Sequence, residues 1–202
     1  MLLYQKKEKT FPSSVDIDGI LYHINADFRN ILRIFAVLKD MKIPETKRVE
    51  KLIQWFFHGE GNIEISDESA VQAFMDFVNP PDEKQIKSFS NTYDENNEDN
   101  ELQFDYDFDA EEIYASFVSE YDTDLVDVDF LHWHKFKILL RSLSGESAFK
   151  KKIELRFMDL SGYSGQALAD MTRAKESVQL PVEYSEDELR EMSEFENIWG
   201  RL

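Results

Sequence analysis

Asp105-Tyr106-Asp107-Phe108-Asp109-Ala110-Glu111-Glu112-Ile113-Tyr114-Ala115-Ser116-Phe117-Val118 is the stretch on which the reading of the chain turns. Its first five residues alternate carboxylates with rings, which suits an extended segment that docks its rings. Asp109 then stands where a helix N-cap belongs, because an aspartate side chain accepts hydrogen bonds from first-turn amides. Ile113, Tyr114, Phe117 and Val118 recur at the spacing of one helical face. The competing reading is a calcium loop opening at Asp105. Such a loop needs glycine at its sixth position and a bidentate glutamate at its twelfth, and here those positions hold Ala110 and Ser116.

Helical periodicity continues downstream. Asp127 or Asp129 is expected to cap a helix bearing Phe130, Trp133, Phe136, Leu139, Leu140 and Leu143, which Ser144-Gly145 breaks. A helix from about Glu146 carries Phe149, Ile153, Phe157 and Leu160 and stops at Ser161-Gly162. The next carries Leu168, Met171 and Ala174 and ends before Pro181. The last, about Ser185–Trp199, carries Leu189, Met192, Phe195 and Trp199.

Upstream, Asp18-Gly19 separates Val15–Ile17 from Ile20–Ile24. Asp-Gly between short β-favouring runs predicts a hairpin, since both residues tolerate positive φ. Asn25 is the expected N-cap of a helix to about Asp40 with Phe28, Ile31, Leu32, Phe35 and Leu38 on its face. A helix over Glu45–His58 follows Pro44 and precedes Gly59, with Val49, Leu52, Ile53, Phe56 and Phe57 inward. A third spans Asp67 to Val78 through Ala70, Val71, Phe74, Met75 and Val78, capped by Ser66 or Asp67. The expected class is mainly α, a helical protein with a small N-terminal β-hairpin and an acidic central loop. The expected organisation is a hairpin plus helical lobe over 1–79, an acidic flexible linker over 80–101, a second helical lobe over 102–182, and an acidic C-terminal helix over 183–202.

The chain has 202 residues, 42% of them hydrophobic and 13% aromatic, which is enough apolar material for a core. Its formal net charge is −18. That charge is concentrated: residues 88–134 hold fifteen acidic residues and no lysine or arginine, whereas residues 135–182 hold nine basic and five acidic residues. A chain this acidic repels phosphate at long range, which excludes nucleic-acid backbones and anionic membranes as natural partners. Cysteine is absent, so there is no disulfide framework and no thiolate chemistry. The N-terminus lacks the apolar run of a secretory signal, and no stretch is apolar enough to span a membrane.

No constellation supports an enzyme. Gly59-Glu60-Gly61 lacks the third glycine of a dinucleotide fingerprint, no Gly-Lys-Ser/Thr occurs, and Gly162-Tyr163-Ser164-Gly165 has the wrong spacing for a nucleophile elbow. His132 and His134 are i and i+2; on a helix they do not share a face and would not chelate one ion, on a strand they could, and the local helical periodicity with no carboxylate at helical ligand spacing argues against a metal. No metal or cofactor is expected. Lys150-Lys151-Lys152 with Arg156 forms a small basic patch, read as an intramolecular or intersubunit partner for the acidic blocks. The rings of Phe108, Tyr114, Phe117, Trp133 and Phe136, with Lys150, Lys151, Lys152 and Arg156, are the candidate partner-binding residues. The alternative for Phe117, Trp133 and Phe136 is a place in the protein's own core.

The run Phe104–Phe117, with Tyr121-Asp122, Asp129-Phe130-Leu131-His132-Trp133, Lys135-Phe136 and Arg156-Phe157-Met158-Asp159-Leu160, resembles the gene-product-fifteen family of tailed-bacteriophage proteins. The N-terminal lobe matches in layout, with Ile17-Asp18-Gly19 to Ile24 and then Asn25-Ala26-Asp27-Phe28-Arg29 opening a helix. The resemblance implies a siphophage morphogenesis protein whose gene lies between those of the major tail protein and the tape-measure protein. It thereby implies a tail assembly chaperone in the host bacterial cytoplasm, with the tape-measure protein and the major tail protein as partners and a tendency to self-associate. It supplies no catalytic residues. The alternatives are a minor structural component of the tail and an acidic DNA mimic that inhibits a host protein.

Overall fold

A computed structural model describes residues 11–57, 65–80 and 104–181. The linker expected over 80–101, apart from Pro80, and the C-terminal helix expected over 183–202 lie outside the described residues, as does Gly59.

The hairpin forms from β1 (Ser14–Ile17) and β2 (Ile20–His23), antiparallel, with Val15 opposite Tyr22 and Ile17 opposite Ile20. Asp18 and Gly19 have φ of 54° and 81°, the two positive values a primed turn demands, and the Gly19 amide donates to Asp16 Oδ1. Three helices follow: α1 (Phe28–Lys39), α2 (Glu45–Phe56) and α3 (Asp67–Val78). The C-terminal part adds α4 (Ala110–Tyr121), α5 (Trp133–Arg141), α6 (Ala148–Phe157) and α7 (Gly165–Ser177). Helix α1 packs on α2 and α5, α2 on α3, and the hairpin on α3; α4 packs on α5 and α6, and α6 on α7.

One core runs through both expected lobes, and its centre is aromatic. Phe136 stacks on Phe28 at 4.7 Å and on Phe117 at 5.3 Å. Trp133 meets Phe35 edge-on at 5.7 Å; Phe35 meets Phe74 edge-on at 5.7 Å, and Phe74 meets Phe56 at 5.1 Å. Each such pair adds to area burial through the ring quadrupoles. The chain of rings therefore ties α4 and α5 to α1, α2 and α3.

Several expectations need correction. The N-cap of α1 is Asp27, not Asn25: Asn25 and Ala26 precede the helix, with the Asn25 amide bonded to Phe56 O, Asn25 Oδ1 accepting from the Asp27 amide, and Ala26 O accepting from the Trp133 amide. The N-cap of α5 is His132, not Asp127 or Asp129. Residues ahead of it are drawn into an extended bridge with α1's entry, and Asp124 folds 124–127 into a turn by accepting the Val126 and Asp127 amides. Phe130 is consequently exposed. On α3, Met75 is 46% exposed while Phe77 is 5% exposed, so the buried stripe is Ala70, Phe74, Phe77 and Val78. On α4 the buried face is Ile113, Ser116 and Phe117, leaving Tyr114 and Val118 outward. On α6, Phe157 is exposed and Arg156 is buried in its place. Ser66 caps α3 as expected, its Oγ accepting from the Ser69 amide.

Candidate functional site: the Asp109 hub and the outward face of α4

The segment before α4 is a knot of short-range hydrogen bonds. Asp105 Oδ1 accepts the Asp107 and Phe108 amides at 2.8 and 3.0 Å, an Asx turn, while Asp105 O accepts the Asp109 amide. This turn delivers Asp109 to the buried mouth between α4 and α6. There its carboxylate does not cap α4 but takes a bidentate pair from Arg156, at 2.7 Å from Nη2 to Oδ1 and 3.1 Å from Nη1 to Oδ2. Lys152 Nζ adds a contact at 3.0 Å to Oδ1 and also reaches Glu112 at 2.7 Å and Phe108 O at 3.2 Å. The Phe108 ring lies against both cations, 4.5 Å from Lys152 Nζ and 5.7 Å from Arg156 Cζ.

Burial pulls the Asp109 pKa upward, but the hydrogen bonds from Arg156 and Lys152 outweigh it and hold the carboxyl below its ordinary 3.8. Arg156 also donates through Nε to Val178 O at 2.6 Å, and Gln179 Nε2 donates to Arg156 O, so the hub anchors the end of α7 as well. The guanidinium suits this place because its fork satisfies a carboxylate and a carbonyl at once.

Phe108, Lys152 and Arg156 among the candidate residues are thus brought together. Lys151 pairs instead with Glu146 at 2.7 Å, and Lys150 lies 6.0 Å from the Phe149 ring. Phe117, Trp133 and Phe136 are sealed in the core. The large apolar side chains that α4 leaves at the surface are Tyr114, whose hydroxyl donates to Asp124 Oδ2 at 3.0 Å, and Val118.

Both histidines are tied to backbone carbonyls, His132 Nε2 to Pro12 O at 3.0 Å and His134 Nε2 to Phe77 O at 2.7 Å. Trp133 Nε1 and Lys137 Nζ both donate to Val78 O, so α5 satisfies the last carbonyls of α3. Among the described residues no group of three or more histidines and carboxylates could hold a metal ion, and no helix is long and apolar enough to cross a membrane.

Asp109 as a hub was not read from the sequence, yet one signal points to it. Phe149, Ile153 and Arg156 share a helical face, and an arginine on an apolar stripe requires a buried anion.

A family model described as bacteriophage Gp15 protein matches residues 8–180. No curated protein and no solved structure matches the chain.

Proposed function

The chain belongs to the bacteriophage Gp15 protein family, and from that premise we propose that it acts in phage tail assembly as a chaperone of the tape-measure protein. The family match over residues 8–180 carries this reading. The gene order implied by the resemblance, between the major tail protein and the tape-measure protein, supports the role. A tape-measure protein exposes long amphipathic helices before the tail tube surrounds them, and a helical binder with an acidic exterior would keep such helices soluble. On this reading the protein works in the host bacterial cytoplasm, self-associates, and also engages the major tail protein. No catalytic step is part of it.

The test is co-expression with the tape-measure protein of the same phage, followed by affinity purification and by mass spectrometry of purified virions. Co-purification with the tape-measure protein and absence from virions is the expected result. Abundant copies in mature tails would replace it with a minor structural tail component. Stoichiometric capture of a host DNA-binding protein would replace it with a DNA mimic.

A further inference from the structure

A helix on the surface of a small protein ordinarily turns a polar face outward. Helix α4 does so only in part. Its inner face is Ile113, Ser116 and Phe117, and its exposed residues are Ala110, Glu111, Tyr114, Ala115, Val118 and Ser119, so an apolar stripe of Tyr114, Ala115 and Val118 lies on the outward side between Glu111 and Ser119. Tyr114 is 37% exposed and Val118 41% exposed. The Tyr114 hydroxyl is held by Asp124, which aims the ring at the 124–127 turn, where Val126 is 72% exposed. Glu111 and Asp122 stand at the two ends of this stripe, and Asp124 and Asp127 flank it.

The charges around the stripe are of one sign. Residues 88–134 contain no lysine or arginine. Among the described residues, Lys39 pairs with Asp105, Lys152 and Arg156 pair with Asp109, Lys152 also pairs with Glu112, and Arg29 Nη2 donates to Asp129 O. Among the described residues no lysine or arginine pairs with Glu111, Asp122, Asp124 or Asp127. Residues 183–202, with seven acidic and two basic residues, carry the same sign of charge as this surface. A second copy meeting it face to face would oppose like charges, which costs binding energy.

We propose that the outward face of α4, centred on Tyr114 and Val118, docks an amphipathic helix of another protein whose apolar stripe is edged by lysine or arginine. Val118 and the Tyr114 ring enter the apolar stripe of the incoming helix, and Glu111, Asp122 and Asp127 pair with its basic edges. Tyrosine suits such a contact, since a rigid ring already fixed by a hydrogen bond loses little entropy on binding. The inference does not depend on the assembly role, because it follows from the chemistry of one face.

Two synthetic helical peptides with identical leucine stripes, one edged with lysine and one with glutamate, are titrated against the full chain by fluorescence polarisation. Val118→Ser and the Glu111→Gln/Asp122→Asn pair are compared with the parent, and circular dichroism checks that each variant is folded. Asparagine at 122 keeps the left-handed backbone that Asp122 adopts, with φ of 49°. The expected result is binding of the lysine-edged peptide alone, weakened by salt. Val118→Ser lowers its affinity on the order of tenfold, and the charge-neutral pair flattens the salt dependence. Equal binding of both peptides, or affinity unchanged by both variants, would overturn the proposal. So would concentration-dependent self-association that Val118→Ser abolishes, which would assign the face to a second copy of this chain.

Discussion

Asp27 and His132 cap the first turns of two different helices while facing each other across an antiparallel bridge. The Phe28 amide donates to Leu131 O at 2.9 Å and the Trp133 amide to Ala26 O at 2.8 Å, so each helix start is pinned by the residue before the other's cap. Asp27 adds its own ties: Oδ1 accepts the Arg29 amide and Nε, and Oδ2 accepts Arg29 Nη2 and the Leu131 amide. These bonds make the entries of α1 and α5 one unit, from which Phe28 and Phe136 stack.

Removing either cap therefore weakens both helices. Asp27→Ala and His132→Ala should each cost about 1–2 kcal/mol, the upper part of the capping range. Their effects should not add, with a coupling above about 0.5 kcal/mol. Urea denaturation of the two single variants and the double variant measures this.

His132 also makes stability depend on pH. Burial between Phe11 and Phe77 lowers its pKa below 6.5, and the carbonyl of Pro12 only partly opposes that. Its Nδ1 must stay unprotonated to accept the His134 amide at 3.1 Å. The folded state thus binds this proton less readily than the unfolded state. The stabilisation is complete above pH 6.5 and is lost as pH falls below that value toward the folded pKa. His132→Asn, which keeps a capping acceptor, should flatten the decline of the melting temperature between neutral and mildly acidic pH.

Breaking the hub is expected to be the most damaging polar change. Asp109→Asn leaves Arg156 buried without its counter-charge, and such losses run about 3–5 kcal/mol. Replacing both partners with apolar residues, Asp109→Leu with Arg156→Met, should recover most of that loss. Because the Asp109 pKa lies below 3.8 in the fold, the pair's contribution is present above that pH and fades as pH falls through the lowered value. Thermal melts of the parent and these two variants distinguish a charge effect from a packing effect.

The stripe of α3 supplies a sharper contrast. Phe77→Ala should cost about 3–5 kcal/mol by opening a cavity beneath Phe56 and His134, whereas Met75→Ala should stay within about 0.5 kcal/mol. A comparable cost for both would mean that the 70, 71, 74, 75, 78 spacing read from the sequence describes the buried face after all.

The helix starts and the buried stripe that depart from local sequence preference share a physical origin. Helix positions were legible because periodicity is local, and the hairpin was legible because Asp18-Gly19 is a local steric statement. Asn25, Asp127 and Asp129 are all good capping residues by type, yet none of them caps. The bridge between residues 26–28 and 131–133 holds the chain extended until Asp27 and His132, and only then can a helix begin. Met75 and Phe77 differ by two positions, so either could complete a stripe. Which one is buried depends on where His134 and Phe56 lie, and they come from other helices.

By itself the sequence determined the mainly helical class, the hairpin and its turn, the concentration of acid between residues 88 and 134, and the family. These rest on backbone preferences, repeat spacing and composition, none of which requires knowing which segments meet. Tertiary structure alone decided that Asp109 is buried on Arg156 rather than capping α4, that Phe117, Trp133 and Phe136 are core rings, and that Tyr114 and Val118 are left outside. Those outcomes depend on which face of each helix a distant segment covers, and a burial or an ion pair is a property of both partners together.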